Sequence, residues 1–247
     1  MGRYPRIPLD DAIVVLAGVL DGTTRILVEE LHELGAIVWL GTDDVAQASI
    51  IADDLGPGVF VHELDLVSSH SWAGFRDRVL DVHDRIDAAV LNPPVPPPGS
   101  FLDDAGEAGQ PGSDHMVRIT TLAMRAMARA MARAGRGHVV ALAPVSGISA
   151  APGQAASGAG AAAIVALCRS VRLELLAAGV SVTALLSGSA PGEVAHAVLR
   201  SWESRPAQLV VPRYMWAWAL VQRILPDPLV IAIARRWTTP QPQDVLV

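Results

Sequence analysis

The sequence predicts an α/β fold: a single doubly wound, mostly parallel sheet flanked by helices, with a helical flap at the C-terminal end. Three observations predict it. Short runs rich in β-branched residues alternate with segments of helical spacing from residue 12 to about residue 186. Each run is apolar along its length, as a strand buried on both faces requires. The first run also ends in a turn with glycines at 18 and 22 that leads into a helix.

Residues 12–17 form the first strand, which stops at Gly18. Residues 25–34 place Ile26, Leu27, Leu31 and Leu34 on one helical face, and Gly35 closes that helix as a C-cap. Residues 36–40 are the second strand, completing a βαβ unit whose crossover is right-handed. Further strands are predicted at 59–64, 88–91, 138–143 and 180–186, with helices at 72–85, 115–134 and 157–178. Residues 92–99 are stiff and polyproline-like, and 99–114 read as a loop. No repeat of solenoid period appears. The chain reads as a single domain over 1–247, with a core at 8–188 and a lid and C-terminal helical segment at 189–247.

Composition excludes several classes. Half of the 247 residues are hydrophobic (51%) and 18% are charged, which excludes a disordered chain. No unbroken apolar run approaches the roughly 18 residues of a membrane span, so no integral membrane segment is expected. The single cysteine, Cys168, excludes an internal disulfide framework and a multi-cysteine metal site. A formal charge of -6 gives no reason to expect nucleic acid. The first ten residues lack the apolar core of a signal peptide, so the expected compartment is the cytoplasm. All the basic residues other than histidine are arginines, and the chain contains no lysine.

The order and spacing resemble the short-chain dehydrogenase/reductase family over about three quarters of the chain. Ala17-Gly18-Val19-Leu20-Asp21-Gly22-Thr23-Thr24 resembles the family's glycine-rich turn, Asp65-Leu66 its acidic adenine-pocket motif, and Leu91-Asn92-Pro93-Pro94 its motif at the end of the fourth strand. Residues 162–174, followed by 179–184, resemble the stretch after the active-site tyrosine. The resemblance implies a Rossmann-type fold and hydride transfer between nicotinamide and a carbonyl or alcohol. It implies cofactor contacts at Gly18, Gly22, Asp65 and Asn92.

Four catalytic positions carry other residues. The tyrosine falls on Ser157, the lysine four residues later on Ala161, the serine on Pro144 and the asparagine near Met116. A threonine that touches the nicotinamide falls near Gly192. Neither Tyr4 nor Tyr214 has a lysine four residues on. Serine ionises far above tyrosine's value of about 10, so it is no direct substitute. Thr24 replaces a packing glycine, Thr42 stands at the acidic ribose ligand's position, and Pro93 and Pro94 remove two backbone donors. No cofactor is assigned from the sequence; NAD(P) is the one left open.

Single residues carry paired readings. Ser157 is a hydrogen-bond donor or nucleophile in the vacated pocket, or the N-cap of the following helix; the cap is preferred. His115, near the relay position, and His196, in the lid segment, are bases for Ser157 or Glu193, or surface histidines; the surface reading is preferred. Met116, Met124, Met127 and Met131, with the small residues Gly158, Gly160 and 161–163, favour a core or subunit contact. Trp216, Trp218 and Trp237, with Arg213, Arg223, Arg235 and Arg236, mark either an interfacial membrane helix or a packed flap, which is preferred. No metal-ligand spacing is present.

The expected function is a non-redox pseudoenzyme, acting as an oligomeric partner subunit with itself or another short-chain-type chain. A cofactor-independent cyclase, isomerase or lyase for a hydrophobic small molecule, and an NAD(P)-linked oxidoreductase with unusual residues, are the alternatives.

Overall fold

A computed structural model describes Tyr4, residues 7–99, residues 112–226, and Pro228 and Leu229. The chain begins its regular structure with β1 (Ile13–Gly18), in which all six residues are buried. In order there follow α1 (Gly22–Glu33), β2 (Ile37–Thr42), α2 (Val45–Leu55), β3 (Val59–Glu63), α3 (Ser69–His83), β4 (Ala88–Asn92) and α4 (Ser113–Ala134). Then come β5 (Gly137–Pro144), a 3-10 turn (Val145–Gly147), α5 (Ala155–Glu174), β6 (Val180–Ser187), α6 (Pro191–Ser204), β7 (Gln208–Val211) and α7 (Tyr214–Ile224). The strands pair in parallel in the order β3-β2-β1-β4-β5-β6-β7.

Two cores lie on the two faces of this sheet, set by the alternation of side chains along each strand. Ile13, Val15 and Ala17 of β1 face Trp72 and Phe75 of α3 and the methionines of α4. Val14 and Leu16 face Leu27, Val28 and Leu31 of α1, Ile51 of α2, and Val198 and Trp202 of α6. The strand order reverses direction between β1 and β4, and open α/β sheets hold their ligands outside the strand ends at that point.

The six strands expected from the sequence are present, shifted by at most a residue or two. A helix, α2, and an edge strand, β7, add to them. The segment expected as a lid takes another place: 191–204 is α6, packed on α1 in the second core. Pro191 stands at the first position of α6, where its missing N–H costs nothing. The 100–111 part of the expected loop lies outside the described residues.

Among the described residues one helix, α5, is long and apolar enough to cross a bilayer. It packs on α4 and β6 within the fold. Cys168 on that helix is buried, and burial pushes its thiol up to about 12, which leaves it inert at neutral pH.

One buried ion cluster pins the start of the sheet. Asp87 is 2% exposed; it accepts from the Ile13 amide at 3.0 Å and from Arg85 Nε at 3.0 Å. Its other oxygen lies 2.9 Å from Arg136 Nη2, an ion pair without hydrogen-bond alignment. Asp87→Ala would leave the buried Ile13 amide without its side-chain acceptor, while Arg85 keeps Asp11 and Arg136 is partly exposed, and is expected to cost about 2 kcal/mol. Asp87→Asn should cost less, because it keeps one acceptor for Ile13. Urea unfolding of both variants checks this; equal, small losses would show that the cluster does not hold β1.

Candidate functional site

The turn after β1 is built for close approach. Gly18 has φ +126°, and a Cβ there would stand 1.9 Å from the Asn92 carbonyl oxygen. Val19 donates its amide to that oxygen at 2.9 Å. Asn92 Nδ2 donates to the Val19 carbonyl and to Thr24 Oγ1, both at 3.1 Å, and Thr24 Oγ1 donates to the Val19 carbonyl at 2.8 Å. Thr24, where the family motif has a glycine, is hydrogen-bonded into the turn. The Asn92 side chain, expected at a cofactor, is engaged in locking the turn. Asp21 caps α1 by accepting from the Thr24 amide at 2.9 Å. Gly22 lies against Pro191 of α6: a Cβ there would be 3.2 Å from the proline Cγ.

Beside this turn, across the ends of β1–β4, opens a cleft with a volume of about 630 Å³. Val19 and Leu20 form one wall, Thr42, Asp43 and Asp44 the end of β2, and Glu63, Asp65 and Leu66 the end of β3. Pro94 and His115 close the far side. Asp65 lines the cleft, and its Oδ1 accepts from the Val67 amide at 3.0 Å. Thr42 is buried, and its Oγ1 accepts from the Asp44 amide at 3.2 Å, so the next residue, Asp43, carries the acid at this strand end. Sequence reasoning missed Asp43, Asp44 and Glu63. Two of these acids directly follow the second strand and one ends the third, but only the pairing of β2 with β3 brings them together.

His115 lines this cleft, whereas Ser157 does not. Met116 is fully buried, and a Cβ on Gly160 would lie 2.7 Å from its methyl group. Its role is packing between α4 and α5. His196 sits on α6, its Nδ1 2.7 Å from the Gly192 carbonyl and its Nε2 3.4 Å from Glu30. It faces α1 instead of covering Ser157, because 191–204 belong to a sheet-flanking helix. Gly192, expected near a nicotinamide threonine, lies in the first turn of the same helix.

At the end of β5 the chain gathers small residues. Pro144 is the last residue of the strand, paired with Ser187. The turn behind it closes on α5: a Cβ on Gly147 would be 2.7 Å from the Ala161 Cβ, and one on Gly158 would be 3.1 Å from the Ser146 carbonyl. Ala161 is fully buried. Ser157 is not the helix cap, since α5 starts two residues earlier with Gln154 as its N-cap. Its hydroxyl is 3.4 Å from the Ser146 hydroxyl and donates to the Gln154 carbonyl at 3.2 Å, and both serines are buried. Ser146 was not expected; only the return of α5 onto the turn brings it to Ser157. Among the described residues no cluster of three His, Cys, Asp or Glu side chains can hold a metal ion.

A family model described as short chain dehydrogenase matches residues 12–204. The chain is 25% identical over 213 residues to cyclopentanol dehydrogenase of Comamonas sp. (strain NCIMB 9872), covering 85% of this chain and 83% of that protein. It is 25% identical over 187 residues to dehydrogenase/reductase SDR family member 7B of Bos taurus, covering 72% of this chain and 58% of that protein. A solved metagenomic short-chain oxidoreductase in complex with NADP superposes with a TM-score of 0.73 at 26% identity, over 83% of this chain and 98% of that one. These comparisons correct the expectation of a non-redox pseudoenzyme or partner subunit, since all of them name dehydrogenases, reductases or oxidoreductases. They favour the NAD(P)-linked oxidoreductase among the readings of the sequence. The seven-stranded parallel sheet, the turn locked by Gly18 and Asn92, and the match over 12–204 place the chain in the short-chain dehydrogenase family.

Proposed function

We propose that this chain is a cytoplasmic oxidoreductase that takes NAD(H) and acts on the carbonyl or alcohol of an apolar small molecule. The observation that carries the cofactor choice is the acidic cleft. Asp43, Asp44, Glu63 and Asp65 line it, and among the described residues no arginine does. Carboxylates suit the hydroxyls of an adenosine ribose, while a 2′-phosphate would meet like charge. The residues fit the adenosine end of the group: Asp43 for the ribose, Asp65-Leu66 for the base, and the turn at 18–22 for the diphosphate. When bound, the dinucleotide supplies the hydride.

The departure from the family's Ser-Tyr-Lys set, at Pro144, Ser157 and Ala161, belongs to this reading. Reduction of a carbonyl also needs a proton, and the Ser146–Ser157 pair supplies hydroxyls at the tyrosine position. A serine cannot hold the negative charge that a phenolate can. It can hydrogen-bond the substrate oxygen and hand on a proton drawn from solvent. The expected turnover is therefore slow compared with an enzyme that has the tyrosine and lysine.

Calorimetric titration with NAD+, NADH, NADP+ and NADPH tests the reading. NADH is expected to bind at least tenfold tighter than NADPH, with the gap narrowed by Asp43→Arg. Ligand at 100 times its dissociation constant should stabilise the fold by about 2.7 kcal/mol. Ser157→Ala is expected to lower kcat at least tenfold with NADH affinity unchanged. No binding of any of the four would overturn the proposal.

We further propose that the chain pairs with a second copy, or with another short-chain-type subunit, through α4 and α5. Leu173 on α5 and Leu176 just beyond it are large apolar side chains left 75% and 54% exposed. Light scattering of the chain and of Leu173→Glu checks this; a monomer in both would remove it.

A further inference from the structure

Helix α7 is apolar on both its faces, and the described residues cover only one of them. Its inner face packs on the molecule. Ala219 is buried, Met215 touches the core, and Gln222 Nε2 donates to the Ala150 carbonyl at 3.1 Å. That contact joins α7 to the loop that follows β5 and leads to Ser157. The outer face carries Tyr214, Trp216, Leu220, Val221 and Ile224, with Tyr214 68%, Trp216 56% and Ile224 71% exposed. These positions, together with Ala217, lie at helical spacing on one continuous strip. Isolated apolar residues on a surface mean little, but a contiguous strip of this kind marks a contact.

We infer that this strip docks on an anionic lipid surface. Two observations select that occupant. Tyrosine and tryptophan are the side chains that favour the boundary between headgroups and acyl chains, because each has an apolar body and a polar edge. Charge supplies the second. Residues 206–226, which hold α7, contain two arginines, Arg213 and Arg223, and no acid, in a chain whose formal charge is -6. Arg213 is exposed immediately before α7. A helix flanked by arginines and without acids, on an acidic protein, turns toward negative headgroups. It also opposes self-pairing, since a second copy would bring arginines against arginines. Docked in this way, α7 would hold the loop above Ser146 and Ser157 beside the bilayer, where an apolar substrate is concentrated. The docking itself does not depend on the oxidoreductase reading.

Flotation of the purified full chain with vesicles tests it. One set is phosphatidylcholine alone, and the other contains about one-third phosphatidylglycerol. Binding to the mixed vesicles is expected to be at least tenfold tighter and to weaken as salt is raised. The triple variant Trp216→Ser, Leu220→Ser, Ile224→Ser should lose that binding at least tenfold, with an unchanged circular dichroism spectrum and NADH affinity. Arg213→Glu should reduce the preference for anionic vesicles. The inference is overturned by failure to float with either set, by equal binding to both, or by a triple variant that binds as well as the parent. A dimer that the triple variant breaks, with no vesicle binding, would assign the strip to a second copy and overturn it as well.

Discussion

A chain carrying Gly18→Ala is expected to lose about 4 kcal/mol or more of stability, enough to unfold many domains of this size. The new methyl would stand 1.9 Å from the Asn92 carbonyl oxygen and 2.6 Å from its carbon. Neither atom can move cheaply, because Asn92 ends β4 and is paired in register with Gly18 itself. Parting the strands would break the Val19-to-Asn92 bond and the two bonds from Asn92 Nδ2 that hold the turn. The φ of +126° adds strain for any residue with a side chain. Gly22→Ala is the matched control. Its methyl would meet only the Pro191 ring at 3.2 Å, and its expected cost is about 1 kcal/mol or less. Urea unfolding of the two variants decides the matter; equal costs would show that the close approach is not what the turn depends on.

The protein is also expected to lose stability as pH falls below about 6.5, by about 2 kcal/mol at pH 5, through one histidine. His138 is fully buried between β5, β6 and α6. Its Nδ1 lies 2.7 Å from Ser181 Oγ and its Nε2 3.1 Å from Ser201 Oγ. Ser201 gives its own proton to the Val198 carbonyl, so the bond from His138 Nε2–H is one it accepts. Ser181 Oγ lies closer to Nδ1 than to the Gly137 carbonyl, 3.3 Å away, so Ser181 donates to Nδ1 and the neutral ring carries its proton on Nε2. Burial pushes the ring down to about 3, and the nearby Arg205 adds to the effect. A histidine lowered in the folded state binds its proton more readily when unfolded. Stability is therefore intact above the unfolded value near 6.5, and falls with pH until the folded value near 3 is reached. Urea midpoints at pH 7.5, 6 and 5 measure the slope. His62 and His83 are lowered as well, first by burial, and contribute with the same sign. The His138→Gln variant isolates the buried ring, since its slope should be flatter. A parent protein equally stable at pH 7.5 and 5 would refute the assignment.

The parallel strands were legible because a strand buried on both faces leaves an unbroken apolar run, as in β1, β5 and β6. Three elements were not. Helix α2 has a weak apolar face, with only Ala48 and Ile51 buried. Strand β7 has four residues at the sheet edge, too few for a periodic signal. The sequence of α6 carries the helix-start signal Pro191-Gly192-Glu193, but the family pattern assigns that stretch to a lid. The candidate site divides in the same way. Asp65 and the glycine turn were readable as local motifs. Asp43, Asp44 and Glu63 were not, because their meaning depends on the ends of β2 and β3 lying side by side.

By itself, the sequence determined the alternation of strands and helices, the glycine turn and the absence of any lysine. These are properties of single segments or of counting, and they need no knowledge of what packs on what. Only the tertiary structure decided that Asn92 locks a turn, that His196 belongs to α1's side of the sheet and that Ser146 meets Ser157. Each of those rests on residues distant in sequence, brought together by burial of the two faces of one sheet. The spacing that encodes a helix says which face is apolar, but not which neighbour will cover it. That is why α7 was readable as an apolar, arginine-flanked helix, while its covered and uncovered faces emerged only from its seat against the loop at Ala150.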